Sequence, residues 1–282
     1  MSGRVLSPEV RRSYEACEAL TRARAQNFYW GLRLTPEPRR SALYALYAWM
    51  RRADDLADDA PSRASAVSAL RSFRDATDQA LRGLAPRPEQ PSDVEAFWPA
   101  FTHAAGTYAL DPSWFADVFE GLLRDQDDRP VATGDELRRY CHCVAGTVGM
   151  MCVAVWGVRP GVDRAGALAL ADVRGLAFQV TNILRDVRRD ASGPQPRVYL
   201  PESWLREQGL TIDALLQWRD ARACAALIER ALREASDAYA RSAPLDAMVD
   251  PDCRASLWAM TRIYRGIFDR LRRDPRRAVG PE

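Results

Sequence analysis

Along most of the chain apolar residues recur every three or four positions between polar, arginine-rich ones, which is the period of amphipathic helices, while strict two-residue alternation is weak throughout. Alanine, leucine, arginine and glutamate, all favourable in helices, dominate the same stretches. The pattern predicts an all-α chain. Prolines and glycines divide it into a helix over about 8–25, a second from about 37 to Asp59 stopped by Pro61, and a third to about Leu84. Pro86, Pro88 and Pro91 predict a loop. Further helices are expected over about 92–109, 112–124, 134–157 and 162–190, the last broken by Ser192-Gly-Pro-Gln-Pro196. A short helix near 201–208 and longer ones near 219–242 and 252–273 complete the series. No stretch repeats at a fixed period and no low-complexity linker intervenes, so one domain over residues 1–282 is expected.

Two of these helices carry acidic rows inside otherwise apolar, alanine-rich segments: Asp54-Asp55-Leu-Ala-Asp58-Asp59, and Asn182-Ile-Leu-Arg-Asp186-Val-Arg-Arg-Asp190. Residues four apart on a helix lie within about 40° of one another and about 6 Å along the axis. Asp54 therefore pairs with Asp58, Asp55 with Asp59, and Asn182, Asp186 and Asp190 form one polar stripe. Carboxylates at this spacing repel, and both rows sit near the C-terminal end of their helix, where the dipole also disfavours negative charge. A bound cation reverses both costs. For either row alone a solvated acidic face is the plainer reading; the two together point to magnesium, which takes oxygen ligands from a few carboxylates plus substrate phosphates. Magnesium there would neutralise a leaving diphosphate as a Lewis acid, without a protein nucleophile.

Composition narrows the alternatives. The 40 basic residues are all arginine, and against 38 acidic ones they leave a net charge of +2, which supplies no blanket attraction for nucleic acid. Arginine pairs such as Arg138-Arg139, Arg188-Arg189 and Arg272-Arg273 read as solvated faces, some able to meet phosphate. Six cysteines form no Cys-x-x-Cys pair and the first helix opens on charged residues, so reduced thiols in a cytoplasmic protein are expected. Cys141-His142-Cys143 cannot converge on one zinc ion if helical, because neighbours fan out by about 100° each. From Cys141 to Val158 only His142 can carry charge, a run near the lower length limit for a bilayer span. Its arginine-rich flanks and the absence of a second such segment favour a buried helix, leaving at most a peripheral association with a membrane.

Nucleophile machinery is missing from the sequence: only His103 and His142 occur, there is no Gly-x-Ser-x-Gly elbow, and a P-loop is impossible without lysine. Aromatic residues crowd the rows instead. Phe28, Tyr47, Tyr140 and Tyr264 are candidates to line an apolar cavity and steady a carbocation, against the ordinary alternative of core packing.

Three motifs in order, Tyr47-Ala-Trp-Met-Arg51-Arg-Ala-Asp54-Asp55-Leu-Ala-Asp58, Tyr140-Cys-His-Cys-Val-Ala-Gly-Thr-Val-Gly149 and Gln179-Val-Thr-Asn182-Ile-Leu-Arg-Asp186-Val-Arg-Arg-Asp190, resemble the squalene/phytoene synthase family. The likeness runs from about Asn27 to about Arg273 and includes Arg197-Val-Tyr-Leu-Pro201 and Thr261-Arg-Ile-Tyr264. It implies an all-α isoprenoid synthase fold with a central cavity, in which two prenyl diphosphates are joined head-to-head with magnesium. By the resemblance, Asp54 and Asp58, with Asp55 beside them, are the first metal-binding aspartates, and Asp186 and Asp190, with Asn182, the second set. Arg51 and Arg197 match diphosphate-binding positions, Tyr47, Tyr140, Gln179 and Tyr264 match cavity residues, and Asp125 matches one at the mouth. The chain departs from relatives in Gly121-Leu-Leu-Arg124 before Asp125, and in ending soon after Arg277, where Arg276 and Arg277 would have to replace a diphosphate-binding arginine of the longer tail.

The wording of the first row is nearer to bacterial enzymes of squalene and hopanoid synthesis, which points to two C15 farnesyl diphosphates and presqualene diphosphate or squalene. Two C20 geranylgeranyl diphosphates and phytoene are the alternative, set by the depth of the tail cavity. No sequence feature supports NADPH, which a reductive second half-reaction would use. Remoter readings are a terpene cyclase, disfavoured by Ala53 and by Val187-Arg188-Arg189 in the second row, and a silent helical assembly partner, disfavoured by intact aspartates at 54, 58, 186 and 190.

Overall fold

A computed structural model of the 282-residue chain describes residues 6–25, 27–86, 95–127, 129–193 and 195–280. Pro88, Pro91, the start of the helix expected from 92, and Pro194 lie outside the described residues. Fourteen α-helices are described: α1 Pro8–Arg24, α2 Asn27–Arg33, α3 Arg39–Asp58, α4 Arg63–Leu81, α5 Trp98–Thr107, α6 Pro112–Arg124, α7 Gly134–Cys141, α8 Thr147–Trp156, α9 Arg164–Ser192, α10 Glu202–Glu207, α11 Ile212–Leu216, α12 Ala221–Arg241, α13 Leu245–Met248 and α14 Arg254–Arg273. No strand occurs among the described residues; the one extended pairing is an isolated antiparallel bridge between Val158 and Val249.

Helix starts follow capping chemistry. Ser7, Ser62, Asp111, Thr133, Asp163, Thr211 and Asp220 each accept a hydrogen bond from a first-turn amide, satisfying groups the helix itself cannot. The expected stretch 134–157 is not one α-helix: His142–Gly146 widens into a π turn, in which the Thr147 amide reaches back to the His142 carbonyl. Four short helices, α2, α10, α11 and α13, have fewer than two full turns' worth of pattern; of these only α10 is legible from periodicity. Asp59 stands just beyond α3 as its C-cap, so its expected pairing with Asp55 within one helix is corrected to a cap contact, the Asp59 amide donating to the Asp55 carbonyl.

The chain divides into two compact units, interleaved along the sequence: Met1–Gln126 with Met151–Val162 and Val249–Ala259, and Asp127–Met150 with Asp163–Met248 and Met260–Glu282. In the first unit α3 is the organising element. Its Trp49 is fully buried, donates to Thr77 Oγ1 at 2.9 Å, and packs against Phe73, Phe101, Phe115 and Phe119. With Ala42, Leu46, Ala53 and Ala57 also buried, one face of α3 is fixed in the core and the face bearing Tyr47, Arg51, Asp54 and Asp58 is left outside it. Thr35, bonded to Trp156 Nε1 at 3.0 Å and to Ser256 at 2.7 Å, ties in the two later segments.

In the second unit α9 packs along α12 and against the π turn. Gly175 makes the latter approach possible: a Cβ there would sit 2.5 Å from the Ala145 carbonyl oxygen and 2.6 Å from Gly146 Cα. Arg174, beside it, is only 4% exposed, and its guanidinium donates to Ser242 Oγ at 2.8 Å, the Ser242 carbonyl at 2.9 Å and Thr261 Oγ1 at 2.6 Å, with Asp246 at 3.1 Å. Among the described residues α9 alone is long and apolar enough to cross a bilayer by composition, and half of that stretch is buried in the protein, as expected of a core helix. In the Cys141–Val158 run, Cys141, Cys143, Met151, Val153, Val155 and Trp156 are all buried. All six cysteines are free thiols.

Candidate functional site

The first row occupies the last turns of α3, on the face opposite Trp49. Asp54 and Asp58 are both reached by water, whereas Asp55 is half-buried and ion-paired to Arg51, with Arg24 at 3.3 Å. Asp54 makes no ion pair among the described residues. Its carboxyl is pushed up to about 7, chiefly because surrounding protein strips hydration even though water still touches the side chain. Asp58, Asp55 and Asp125 raise it further, and Arg51 opposes them. Asp125 thus joins the first row electrostatically, at the C-cap of α6. Tyr47, one turn before Arg51, is half-buried, and its hydroxyl is raised by desolvation. Phe28 is half-buried on α2.

The second row lies near the end of α9. Gln179, Asn182, Asp186 and Asp190 form a continuous stripe, while Val180, Thr181, Leu184 and Val187 are buried beside it. Asn182 donates to Tyr264 Oη at 3.4 Å, and its Oδ1 is buried with no donor directed to it. Tyr264 stacks on Phe178, ring centroids 4.2 Å apart, which sets the hydroxyl at the stripe. Tyr140 is buried and stacks on Tyr199 at 4.8 Å. Arg197 approaches Asp190 through the backbone, its amide donating to the Asp190 carbonyl at 2.8 Å. Burial raises the Asp190 carboxyl, with Arg189 opposing.

Arg185 and Arg189 are the functional candidates the sequence reading passed over. Arg185 grips Asp186 with two hydrogen bonds, 2.7 and 2.6 Å. Arg189 reaches Asp186 at 2.8 Å and Asp190 at 3.2 Å. The Arg188-Arg189 pair is exposed, as expected of a solvated face, and both side chains also find acceptors, Arg188 donating to the carbonyls of Val279 and Leu216, each at 2.6 Å. Likewise Arg138 is paired, with Glu234 and Asp135. The i,i+3 spacing of Asp186 and Arg189 was the available signal. A cavity of about 810 Å³ opens beside them, lined by Arg185, Asp186, Arg188, Arg189, Arg270 and Arg277 among others.

Each row fits a divalent cation on its own chemistry. At the first, unpaired Asp54 lies among like charges, and at the second, a buried amide oxygen without a donor sits one turn from a buried carboxylate. Cys141-His142-Cys143 has no such character: both thiols are buried, and His142 Nδ1 is 2.8 Å from Asp172. The structure therefore brings Tyr47, Arg51, Asp54, Asp55, Asp58 and Asp125 to one end of α3 and its surroundings in the first unit. Gln179, Asn182, Asp186, Asp190, Arg197 and Tyr264 gather at α9 in the second.

The family profile described as squalene/phytoene synthase matches residues 21–281. The chain is 32% identical to a phytoene synthase of Arthrospira platensis over 275 residues, covering 93% of this chain and 84% of that one. It is 33% identical to a 15-cis-phytoene synthase of Synechococcus elongatus, covering 91% and 83%. Among solved structures it is similar to a squalene synthase of Alicyclobacillus acidocaldarius, at 25% identity, TM-score 0.83 and 98% coverage of both chains. A dehydrosqualene synthase is similar too, at 25% identity and TM-score 0.80, covering 95% of this chain and 89% of that one.

Proposed function

The chain belongs to the squalene/phytoene synthase family of prenyltransferases and has its all-α isoprenoid synthase fold, and from that premise we propose that it joins two identical prenyl diphosphates head-to-head with magnesium. The observation that carries the proposal is the α9 stripe, where buried Asp186 and the donor-free Asn182 oxygen stand on one face beside an arginine-lined cavity.

In this reading Asp54, Asp58, Asp186, Asp190 and Asn182 would hold magnesium against the substrate diphosphate, where it would supply charge neutralisation for breaking the carbon–oxygen bond. Arg51 and Arg197 hold diphosphate oxygens, with Asp55 orienting Arg51 through their ion pair. Tyr47, Tyr140, Gln179, Tyr264 and Phe28 line the space for the isoprenoid tails and steady the allylic cation. No protein nucleophile takes part: the double bond of the second substrate attacks the cation, and the tertiary cation that results closes to a cyclopropylcarbinyl diphosphate by losing a proton from the carbon that carried the departed diphosphate. Residues 1–282 act as one catalytic domain, in the cytoplasm, with the apolar product drawing it to a bilayer surface.

Two farnesyl diphosphates, giving presqualene diphosphate or squalene, follow from the wording of the first row and are supported by likeness to the Alicyclobacillus squalene synthase. The second reading, geranylgeranyl diphosphate to phytoene, is favoured by the names of the Arthrospira and Synechococcus relatives. Pure protein incubated with each diphosphate and magnesium, with and without NADPH, separates them by product mass. Coupling of farnesyl diphosphate alone is the expected result; coupling of only the C20 substrate transfers the proposal to phytoene, and no coupling of either defeats it.

A further inference from the structure

Resting on the reading of Asp186 and Asp190 as metal ligands, we propose that Arg189 is a positioning residue: together with Arg185 it latches the second acidic row against metal until a diphosphate draws the guanidinium away. One guanidinium bridges the row, 2.8 Å from Asp186 Oδ2 and 3.2 Å from Asp190 Oδ1, while Arg185 holds both oxygens of Asp186. Asp186 Oδ2 thus already faces two cations, hydrogen-bonded by Arg185 and ion-paired with Arg189. A divalent ion bonding that oxygen at about 2.1 Å would face two guanidinium charges at contact range, so entry requires at least one to leave.

The latch is built to move. Asp186 is held in the protein, its side chain 9% exposed, whereas those of Arg185 and Arg189 are 44% and 58% exposed on long, flexible stems. The place for them to go is the adjoining 810 Å³ cavity, where Arg188, Arg270 and Arg277 add positive charge and Asp186 is the one carboxylate among the lining residues. Arg188 stays anchored on its two carbonyls, and Arg270 makes no ion pair among the described residues. A diphosphate in that field offers a guanidinium more charge and more acceptor oxygens than one aspartate does, so the fork transfers from carboxylate to phosphate and leaves Asp186 and Asp190 to the metal. Asp54 in the first row has no such partner, and metal reaches it without this exchange. Substrate binding and completion of the metal site are thereby coupled, and the second row stays closed to metal in the absence of a diphosphate.

The test counts protein-bound Mn²⁺ by electron spin resonance, against protein-free blanks, in the full chain carrying D54N and D58N to weaken the first row, the second row's signal being the part that D186N with D190N removes. Binding is expected to be weak without inorganic diphosphate and strong with it. Adding R189Q should tighten diphosphate-free binding by roughly threefold to tenfold, as loss of two partly exposed ion pairs predicts, and flatten the response to diphosphate, while R189K restores it in part. Equal binding with and without diphosphate, unchanged by R189Q, overturns the latch while leaving the ligands in place. If D186N with D190N leaves diphosphate-dependent Mn²⁺ binding intact, the ligand assignment itself fails and the latch with it; circular dichroism of each variant separates either result from misfolding.

Discussion

At the scale of single residues, charge without a partner and charge with too many mark the two rows differently. Asp54 holds its proton up to about pH 7, well above the roughly 3.9 of an unfolded aspartate. A group whose pKa rises on folding favours the fold most below its unfolded value, and that contribution disappears as pH climbs through about 7. Metal-free protein should therefore lose stability between about pH 4 and 7 on account of Asp54. D54N should melt about 2 °C higher than wild type at pH 8 without metal, the shift that about 1 kcal/mol gives in a chain of this size after allowing for solvent screening. The difference should vanish at pH 4, and parallel melting curves across that range would contradict it. Arg174 is the opposite case, a charge whose donors are nearly all satisfied inside the second unit. R174A removes the donors that Ser242 and Thr261 share and leaves Ser242 its Leu245 and Ala238 contacts, and it should cost about 3 kcal/mol, a fall of roughly 6–12 °C by calorimetry. A loss under 2 °C would mean the cluster adds little.

Among the elements, the contact between α9 and the π turn decides where the second row stands. With the Ala145 carbonyl 2.5 Å from where a side chain would begin, G175A must push backbone from backbone. A destabilisation of about 2–3 kcal/mol is expected in urea denaturation. Gly266 in α14 meets nothing within 4 Å, and G266A should be neutral or stabilising by up to about 1 kcal/mol, through helix propensity alone. Equal effects of the two substitutions would remove the close approach as the cause. Periodicity could not foresee the π turn, because one extra residue in a turn leaves the apolar pattern of 134–157 nearly unchanged. Nor did it find α2, where Asn27–Arg33 gives too few residues to establish a period.

For the molecule as a whole, the proposed chemistry asks both rows to serve one reaction. D54A and D186A should each abolish magnesium-dependent diphosphate release with helicity unchanged, and the double variant should lose no more than either single one, since residues acting as a unit are not additive. Undiminished turnover in either single variant, followed by released diphosphate, would count against the assignment. The likeness to a solved squalene synthase extends over 98% of this chain.

The helical class, most long-helix positions and both acidic rows were legible in the sequence, because helical period and i,i+4 spacing are local properties that a linear reading preserves. Asp54, Asp58, Asn182, Asp186 and Asp190 could be picked out by type and interval alone. Tertiary structure decided the rest: that Arg185 and Arg189 close over Asp186, that Arg188 is bound to backbone carbonyls, and that Arg174 is buried at a polar junction. In the sequence these four arginines look alike, as solvated charges do. What separates them is burial and the acceptors each side chain can reach, and those follow from which helix faces pack together, a matter the order of residues along the chain does not specify.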